Sequence, residues 1–188
     1  PISVFGEHNM SNLNAAYQVC RELGASEKQF FDAMQSFNGA AKRQQLVVEN
    51  KTQKVFWDFA HAPSKVRATV KAFTEKFKGQ KLSVIVELHT FSSLNESFTS
   101  LYADTLDGAD AAAIFCDKEN LEIKKMKPLN SLHLKEGFNR SDLVICDDKA
   151  SIYNYLASQL KEFKGVMLIM SSGQLGGVNL MEIAREES

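Results

Sequence analysis

The stretch FWDFAHAPSKVRATVKAF, residues 56–73, indicates the fold class, because an apolar run typical of a buried strand is followed directly by a helical pattern. Pro63 suits the first turn of a helix, apolar residues recur at helical spacing after it, and Gly79 is a natural stop. Two polar residues, Asp58 and His61, lie at the junction. A strand that leads directly into a helix predicts an α/β unit.

Six apolar runs are short enough to be buried strands, and amphipathic segments separate most of them. This alternation predicts an α/β fold with a mainly parallel sheet. The first two runs flank a polar turn, so we expect a hairpin that places one antiparallel strand at the sheet edge. The predicted strands are QLVVEN (45–50), KVFWDFA (54–60), LSVIVEL (82–88), AAAIF (111–115), LVICD (143–147) and VMLIMSS (166–172).

The first forty residues have a different character. NMSNLNAAYQVCRELG (9–24) predicts one helix, and SEKQFFDAMQSFNG (26–39) predicts a second, with Ser26 and Gln29 in capping-box spacing. Two helices do not complete a sheet domain. We therefore expect residues 1–40 to be the end of a preceding domain and residues 41–188 to form the α/β domain, with the boundary near NGAAKRQQ (38–45).

Composition excludes several classes of protein. The 188 residues carry 22 basic and 23 acidic side chains, so no global field favours nucleic acid or an anionic membrane. No apolar run reaches the roughly 18 residues of a membrane span. Cys20, Cys116 and Cys146 are far apart and lack metal or redox spacing. We expect buried free thiols in a cytoplasmic protein without nucleic-acid or membrane partners.

Asp58 and His61 form the first candidate site, because ligands of open parallel sheets bind outside the carboxyl ends of the strands. Asp58 can accept hydrogen bonds from ribose hydroxyls or help orient a metal. His61 can donate to a phosphate or carboxylate, or carry a proton. The alternative is that Asp58 caps the following helix and His61 is satisfied locally.

The second candidate site is GEHNMSN (6–12), in which His8 and Asn12 share a helical face. An imidazole and an amide on one face can meet one planar ligand by stacking and hydrogen bonding. The alternative is a cluster that caps the amino terminus of a helix.

The third candidate site is MSSGQLGGVN (170–179), where Gly173, Gly176 and Gly177 follow a strand and precede a helix. Glycines at such a position let backbone N–H groups approach an anion. A plain turn would use the same residues, and the segment matches no standard nucleotide-binding motif.

Taken in order, four segments resemble the Mur ligase family, the ATP-dependent enzymes that join amino acids or peptides to UDP-N-acetylmuramic acid in bacterial cell-wall synthesis. The resemblance covers nearly the whole chain. The segments are GEHNMSNLNAA (6–16), FNGAAKR (37–43), DFAHAP (58–63) and MSSGQLGG (170–177).

The resemblance implies binding of ATP by this chain. Asn9 and Asn12, which follow His8, would meet adenine, Arg43 would lie near the nucleotide, and Asp58 would meet the ribose. Mg²⁺ is implied as well, with its ligands mainly in a part of the polypeptide outside this sequence. The resemblance also implies that residues 1–40 end the central ATPase domain of the family. Residues 41–188 would then be its carboxy-terminal domain, a Rossmann-like, three-layer lid that closes over ATP and recruits the amine substrate.

The resemblance also implies a catalytic and substrate-binding role for His61, which would face the acyl phosphate and the incoming amine. The glycine loop after the last strand would line the pocket for that amine. The implied loop residues are Ser171, Ser172, Gly173, Gly176 and Gly177.

Within the family, DFAHAP and MSSGQLGG together look most like the members that attach L-alanyl-γ-D-glutamyl-meso-diaminopimelate to UDP-N-acetylmuramate in peptidoglycan recycling. The members that attach L-alanine are the alternative, and a non-catalytic module that binds a nucleotide or peptide is another. The sequence departs from both ligases at Ala62, where a second histidine is usual, and in ELHTFSSLN (87–95), which lacks the usual proline and arginine.

The sequence contains no phosphate-binding loop of the G-x-x-G-K-[ST] type, no UDP-binding domain, and no upstream carboxylate and lysine for magnesium and carbamate. We therefore expect a carboxy-terminal fragment of a longer ligase. Its partners would be UDP-N-acetylmuramate, an amino acid or peptide, and the rest of the same polypeptide. Alone, it should fold but neither hydrolyse ATP nor ligate.

Overall fold

A computed structural model of the chain describes residues 4–37 and 39–186. Asn38, the first residue of the predicted domain boundary, lies outside the described residues, as do residues 1–3 and 187–188. All six predicted strands are confirmed. They are β1 (Gln45–Glu49), β2 (Gln53–Asp58), β3 (Leu82–Glu87), β4 (Ala111–Phe115), β5 (Val144–Cys146) and β6 (Gly165–Met170).

The strands form one sheet in the order β1-β2-β6-β3-β4-β5. β1 pairs antiparallel with β2, and the other neighbours pair in parallel, which confirms the predicted fold class and its antiparallel edge. Asp58 at the end of β2 pairs with Met170 at the end of β6, and Val86 of β3 pairs with Met170 on the other side. The carboxyl ends of β2, β6 and β3 are therefore neighbours at one edge of the sheet.

Seven α-helices are described, together with 3-10 helices at Glu96–Tyr102 and Leu175–Gly177. In the described ranges, no helix is long and apolar enough to cross a bilayer. The α-helices are α1 (Glu7–Glu22), α2 (Glu27–Met34), α3 (Pro63–Lys76), α4 (Lys118–Ile123), α5 (Ser131–Gly137), α6 (Lys149–Glu162) and α7 (Leu180–Glu186).

Four helices match the sequence predictions: α1, α2, α3 and α6, the last because Ile152, Tyr155, Leu156, Leu160 and Phe163 recur at helical spacing ahead of Gly165. The capping box of Ser26 and Gln29 begins α2 as predicted, but α2 ends at Met34, short of the predicted Gly39. Two short helices, α4 and α5, were missing from the prediction because six or seven residues give too little periodicity. Asp117 and Asn130 cap them with side-chain oxygens.

The core has two layers, one on each face of the sheet. On one face α3 buries Val66, Val70 and Phe73, and on the other α6 buries Ile152 and Leu156. The sheet is thus covered on both faces, as a parallel sheet requires. This packing fixes where each strand ends, and with it the positions of the polar residues that follow.

The amino-terminal segment contacts the α/β domain through Phe5, and its two helices contact each other. Phe5 lies edge-on to Phe73 with ring centroids 5.1 Å apart, and Tyr17 of α1 packs on Phe30 of α2 at 5.2 Å. α1 buries none of its own residues, and Leu23 is 83% exposed. The division into residues 1–40 and 41–188 stays a prediction.

Candidate functional site

A cavity of about 980 Å³ lies between the amino-terminal helices and the carboxyl end of β2. α1 and α2 form one wall, the first turns of α3 form another, and the segment before β1 closes one side. Neither His61 nor the glycine loop 171–177 is among the lining residues. Five residues of the predicted nucleotide set do line the cavity: His8, Asn9, Asn12, Arg43 and Asp58.

The amino terminus of α1 presents its polar residues without using them as caps. The N-cap is Gly6, with φ 88°, and it makes no side-chain capping bond, so the capping alternative for this segment is wrong. Asn9 Nδ2 donates to the Phe5 carbonyl at 2.8 Å, which fixes the orientation of that amide. Asn12 is exposed and His8 half-buried. His8 and Asn12 are therefore accessible from the cavity.

Asp58 is 3% exposed and has a structural role of its own. Its Oδ1 accepts from the Ala60 N–H at 2.7 Å, and its Oδ2 accepts from the Gln44 N–H at 2.9 Å. The N-cap of α3 is Ala62 and receives no side-chain bond, so the helix-cap alternative for Asp58 is wrong. Each carboxylate oxygen can still accept a second hydrogen bond from the cavity side.

Two cationic side chains, Arg43 and Lys65, line the cavity. The Arg43 guanidinium lies 5.2 Å from the ring centroid of Phe59. Lys65, on the first turn of α3, also lines the cavity and forms no ion pair within the described residues. The sequence analysis missed Lys65, although Lys65, Ala68 and Thr69 share the i, i+3, i+4 spacing of one helix face. Two cations and one buried carboxylate suit a ligand with phosphate and hydroxyl groups.

His61 is held at the end of β2 by local contacts. Its Nδ1 lies 3.0 Å from the Phe59 carbonyl, and because a carbonyl only accepts, this contact places the proton on Nδ1. The His61 carbonyl accepts from the hydroxyl of Tyr102, whose pKa is raised by burial. The ring is thus satisfied locally, as the alternative predicted, while Nε2 of the neutral ring remains a proton acceptor.

The glycine loop, which follows β6, is anchored on β2 and β3, the two strands that flank β6. The Ser171 N–H donates to the Asp58 carbonyl at 2.9 Å, and the Ser171 hydroxyl donates to Glu87 Oε2. Glu87 ends β3, is 2% exposed, and also accepts from the Leu175 N–H at 3.3 Å. The Gly173 N–H donates to Ser171 Oγ at 3.1 Å. Lys42 Nζ donates to the Gly173 carbonyl at 3.3 Å.

These contacts correct the expectation that the loop offers free N–H groups to an anion at a helix terminus. The N–H groups of Gly173 and Leu175 are used as described, and that of Gly177 donates to the Gln174 carbonyl at 2.9 Å. The α-helix that follows the loop, α7, begins only at Leu180. The anion-cradle interpretation is therefore wrong for these three donors.

Gly176 faces the core instead of a pocket. Its φ is 65°, and a Cβ at this position would lie 3.1 Å from the Phe115 ring. Ser172 Oγ is buried without a hydrogen-bond partner in the described part of the chain. Gly176 and Ser172, two of the predicted loop residues, thus lie in different surroundings.

The cysteines and the other potential metal ligands are dispersed over the described residues. Across residues 4–37 and 39–186, no three His, Cys, Asp or Glu side chains come together as a metal site. Cys116 and Cys146 are buried, and burial raises the pKa of the Cys116 thiol to about 12 and that of Cys146 to about 11. Cys20 is half-buried and lines the cavity. The expectation of buried thiols thus holds for two of the three cysteines.

Comparison with models of protein families finds no match, but individual proteins are similar. The UDP-N-acetylmuramate–L-alanine ligase of Renibacterium salmoninarum is 35% identical over 113 residues, which cover 60% of this chain and 24% of that enzyme. The ligase of the same name from Pelotomaculum thermopropionicum is 29% identical over 196 residues, covering 98% of this chain and 40% of the enzyme. The chain thus spans less than half the length of either relative.

Solved structures show the same fold. The UDP-N-acetylmuramate–alanine ligase of Thermotoga maritima aligns with a TM-score of 0.66 at 18% identity, over 99% of this chain and 38% of that one. A murein peptide ligase from Psychrobacter arcticus aligns with a TM-score of 0.65 at 18% identity, over the same shares of the two chains. At these identities the likeness shows the fold: the sheet and its covering helices have the same arrangement in this chain and in the two solved ligases.

Proposed function

We propose that this chain is the carboxy-terminal part of a Mur ligase that uses ATP to form an amide bond to UDP-N-acetylmuramate. One observation carries the proposal: segments far apart in sequence bring His8, Asn9, Asn12, Arg43 and Asp58 to the wall of one cavity. The resemblance implied a nucleotide role for four of them, and the helical face that His8 shares with Asn12 predicted a planar ligand for the fifth. Their meeting in one place is what such a role requires.

The cavity suits ATP in size and chemistry. Its volume of about 980 Å³ is at the upper end of the roughly 300–1,000 Å³ of small-molecule sites. Leu13 and Phe30 supply apolar wall for a base, and the amide of Asn12 supplies hydrogen-bonding groups. Arg43 and Lys65 supply positive charge for phosphates. In this proposal the Mg²⁺ ligands belong to the rest of the polypeptide.

The reaction that we propose has two steps. The terminal phosphoryl group of ATP passes to the muramoyl carboxylate, which gives an acyl phosphate and ADP. The amine then attacks the acyl carbon, and the tetrahedral intermediate expels phosphate and leaves the amide. A free α-amino group has a pKa of about 8, so the attacking amine must lose a proton. Nε2 of His61 is the acceptor that we propose for that proton.

For the amine we propose L-alanine ahead of the tripeptide that the sequence motifs favoured. A peptide with several carboxylates needs several free donors, whereas the loop N–H groups of Gly173, Leu175 and Gly177 already donate within the protein. The names of the two sequence relatives point the same way.

The tripeptide L-alanyl-γ-D-glutamyl-meso-diaminopimelate remains the second candidate. The murein peptide ligase aligns as well as the alanine ligase does, with TM-scores of 0.65 and 0.66. The sequence also differs from both kinds of ligase at Ala62 and at residues 87–95, and these differences are compatible with an amine pocket of another shape.

Steady-state release of phosphate tests the proposal. The protein encoded by the whole reading frame is supplied with ATP, Mg²⁺, UDP-N-acetylmuramate and either amine at matched concentration, and mass spectrometry identifies the product. We expect phosphate release to require all substrates and to be faster with L-alanine. Faster release with the tripeptide would select the second candidate. Phosphate release at a rate that does not depend on either amine would overturn the ligase proposal.

The 188-residue chain alone provides a second test, because in this proposal it lacks the phosphate and magnesium ligands. We expect it to fold, with no ATP hydrolysis and no ligation. Isothermal titration calorimetry with ATP, with and without Mg²⁺, measures what remains of binding. Tight, metal-dependent binding by this chain alone would contradict a site divided between domains.

A further inference from the structure

The carboxylate of Glu87 stands out among the polar groups at the edge of the sheet. It is 2% exposed at the end of β3, a strand whose residues are all buried. Within the described residues no lysine, arginine or histidine pairs with it. A buried carboxylate without a cation needs hydrogen-bond donors, since desolvation strongly disfavours its charged form. The donors it has all come from the loop that follows β6.

Both donors bind the same carboxylate oxygen. The Ser171 hydroxyl and the Leu175 N–H donate to Glu87 Oε2. Ser171 Oγ in turn accepts from the Gly173 N–H at 3.1 Å. One side chain from β3 therefore holds the loop directly at Ser171 and Leu175, and indirectly at Gly173 through the Ser171 hydroxyl.

The loop backbone also rests on the carboxylate. A Cβ at Gly173 would lie 2.7 Å from Oε2 and 2.8 Å from Oε1 of Glu87. Real Cβ atoms do not approach oxygen so closely, so any side chain at position 173 requires the loop or Glu87 to move. Glu87 and Gly173 thus determine together how near the loop comes to β3.

We propose that Glu87 is a positioning residue that holds residues 171–175 in the conformation that receives the incoming amine. The inference rests on the proposed ligase function, in which this loop lines the amine site beside His61. The Ser171 N–H donates to the Asp58 carbonyl, so the loop begins at the nucleotide side and turns at Glu87. A tether of this kind should affect binding of the amine without affecting binding of ATP.

Amide hydrogen exchange on the 188-residue chain tests the tether without any activity. Glu87→Ala removes the acceptor, so the Leu175 and Gly173 amides should exchange at least about tenfold faster. Glu87→Gln keeps a carbonyl oxygen that can accept both bonds, and it should stay within about threefold of the parent. Ser172→Ala is the matched control, because Ser172 Oγ has no partner in the described residues.

Kinetics of the longer enzyme test the positioning. Glu87→Ala should raise KM for the amine about tenfold or more and leave KM for ATP within about twofold, while Glu87→Gln restores most of the loss. Gly173→Ala should raise the same KM. In the double variant with Glu87→Ala, the effect of Gly173→Ala should shrink, because the obstructing carboxylate is gone.

The two measurements separate failure of this inference from failure of the ligase proposal. Absence of ligation in the parent enzyme would overturn the ligase function, whereas the exchange experiment would still decide the tether. Unchanged exchange in Glu87→Ala would overturn the tether. Equal increases in KM for ATP and for the amine would reduce Glu87 to a purely structural residue, and so would a Glu87→Gln variant as impaired as Glu87→Ala.

Discussion

The cavity beside Asp58 and the loop after β6 share one edge of the sheet, yet their polar groups are arranged in opposite ways. Arg43, Lys65 and Asn12 are exposed at the cavity, and neither of the two cations forms an ion pair within the described residues. At the loop, the Ser171 hydroxyl donates a hydrogen bond to Glu87 of β3, and both side chains also accept hydrogen bonds from backbone N–H groups of the loop. The cavity has side chains available to a ligand, whereas the polar groups of the loop form hydrogen bonds that hold its own conformation.

The difference indicates how the two regions should respond to substitution. Removing a cavity side chain that has no internal partner should weaken ligand binding and leave stability unchanged. Removing a loop group should change stability and the amine site together, because the same hydrogen bonds define both. Asp58 belongs to both regions, since it lines the cavity and also accepts two backbone N–H groups.

Asp58→Ala should have the largest effect. In the longer enzyme, loss of a charged acceptor worth about 1.5–3 kcal/mol should raise KM for ATP roughly ten- to a hundredfold. The variant should also melt at a lower temperature, because the Ala60 and Gln44 N–H groups lose their acceptor. Calorimetric melting and steady-state kinetics measure the two losses separately. A lower melting temperature with an unchanged KM for ATP would restrict Asp58 to its structural role.

Gly176→Ala should destabilise the loop region, by about 1–3 kcal/mol, because φ is positive there and the new Cβ would crowd Phe115. Gly177→Ala is the matched control: its φ is 71°, but a Cβ there would meet nothing within 4 Å. We expect the control to cost less in urea unfolding. Equal costs would show that backbone strain alone explains Gly176.

The fold was largely predictable because its signals are long and consistent. Residues 56–73 combine a buried strand with a helix whose apolar face repeats regularly, and packing agrees with both patterns. The segments around α4 and α5 are too short for periodicity, and only the capping residues Asp117 and Asn130 could have revealed them.

The candidate site was predictable where a side chain stands out by type. Asp58 and His61 interrupt an apolar run, so they attract notice in the sequence. Glu87 ends an equally apolar run, but its partners Ser171 and Leu175 lie more than eighty residues away. Only the register of β3 against β6 brings these groups together. The loop was therefore misread as an open cradle for anions.

Asn12→Ala and Asn9→Ala should separate ligand binding from stability at a smaller scale. Loss of one neutral hydrogen bond costs about 0.5–1.5 kcal/mol, so each variant should weaken ATP binding by roughly two- to tenfold. Only Asn9→Ala should also lower the melting temperature, because Asn9 Nδ2 donates to the Phe5 carbonyl. A drop in melting temperature for Asn12→Ala would contradict the view that Asn12 has no internal role.

Thiol labelling should give the smallest effect. At pH 8, Cys116 and Cys146 should react slowly with iodoacetamide, since burial raises the pKa of both thiols and keeps them protonated. Cys20 is half-buried at the cavity wall and should react first, and ATP bound to the longer enzyme should slow that reaction severalfold. Mass spectrometry of the labelled peptides gives the order. Labelling of Cys20 that ATP does not slow would place the nucleotide elsewhere.

The division of the edge into a nucleotide side and an amine side is tested most directly by Asp58→Asn and Ser171→Ala in the longer enzyme, each assayed for KM with ATP and with the amine. Asp58→Asn should raise KM for ATP and leave KM for the amine near the parent value. Ser171→Ala removes the hydroxyl that binds Glu87 and should do the reverse. If both variants raise the same KM, or raise both equally, the two regions do not serve separate substrates.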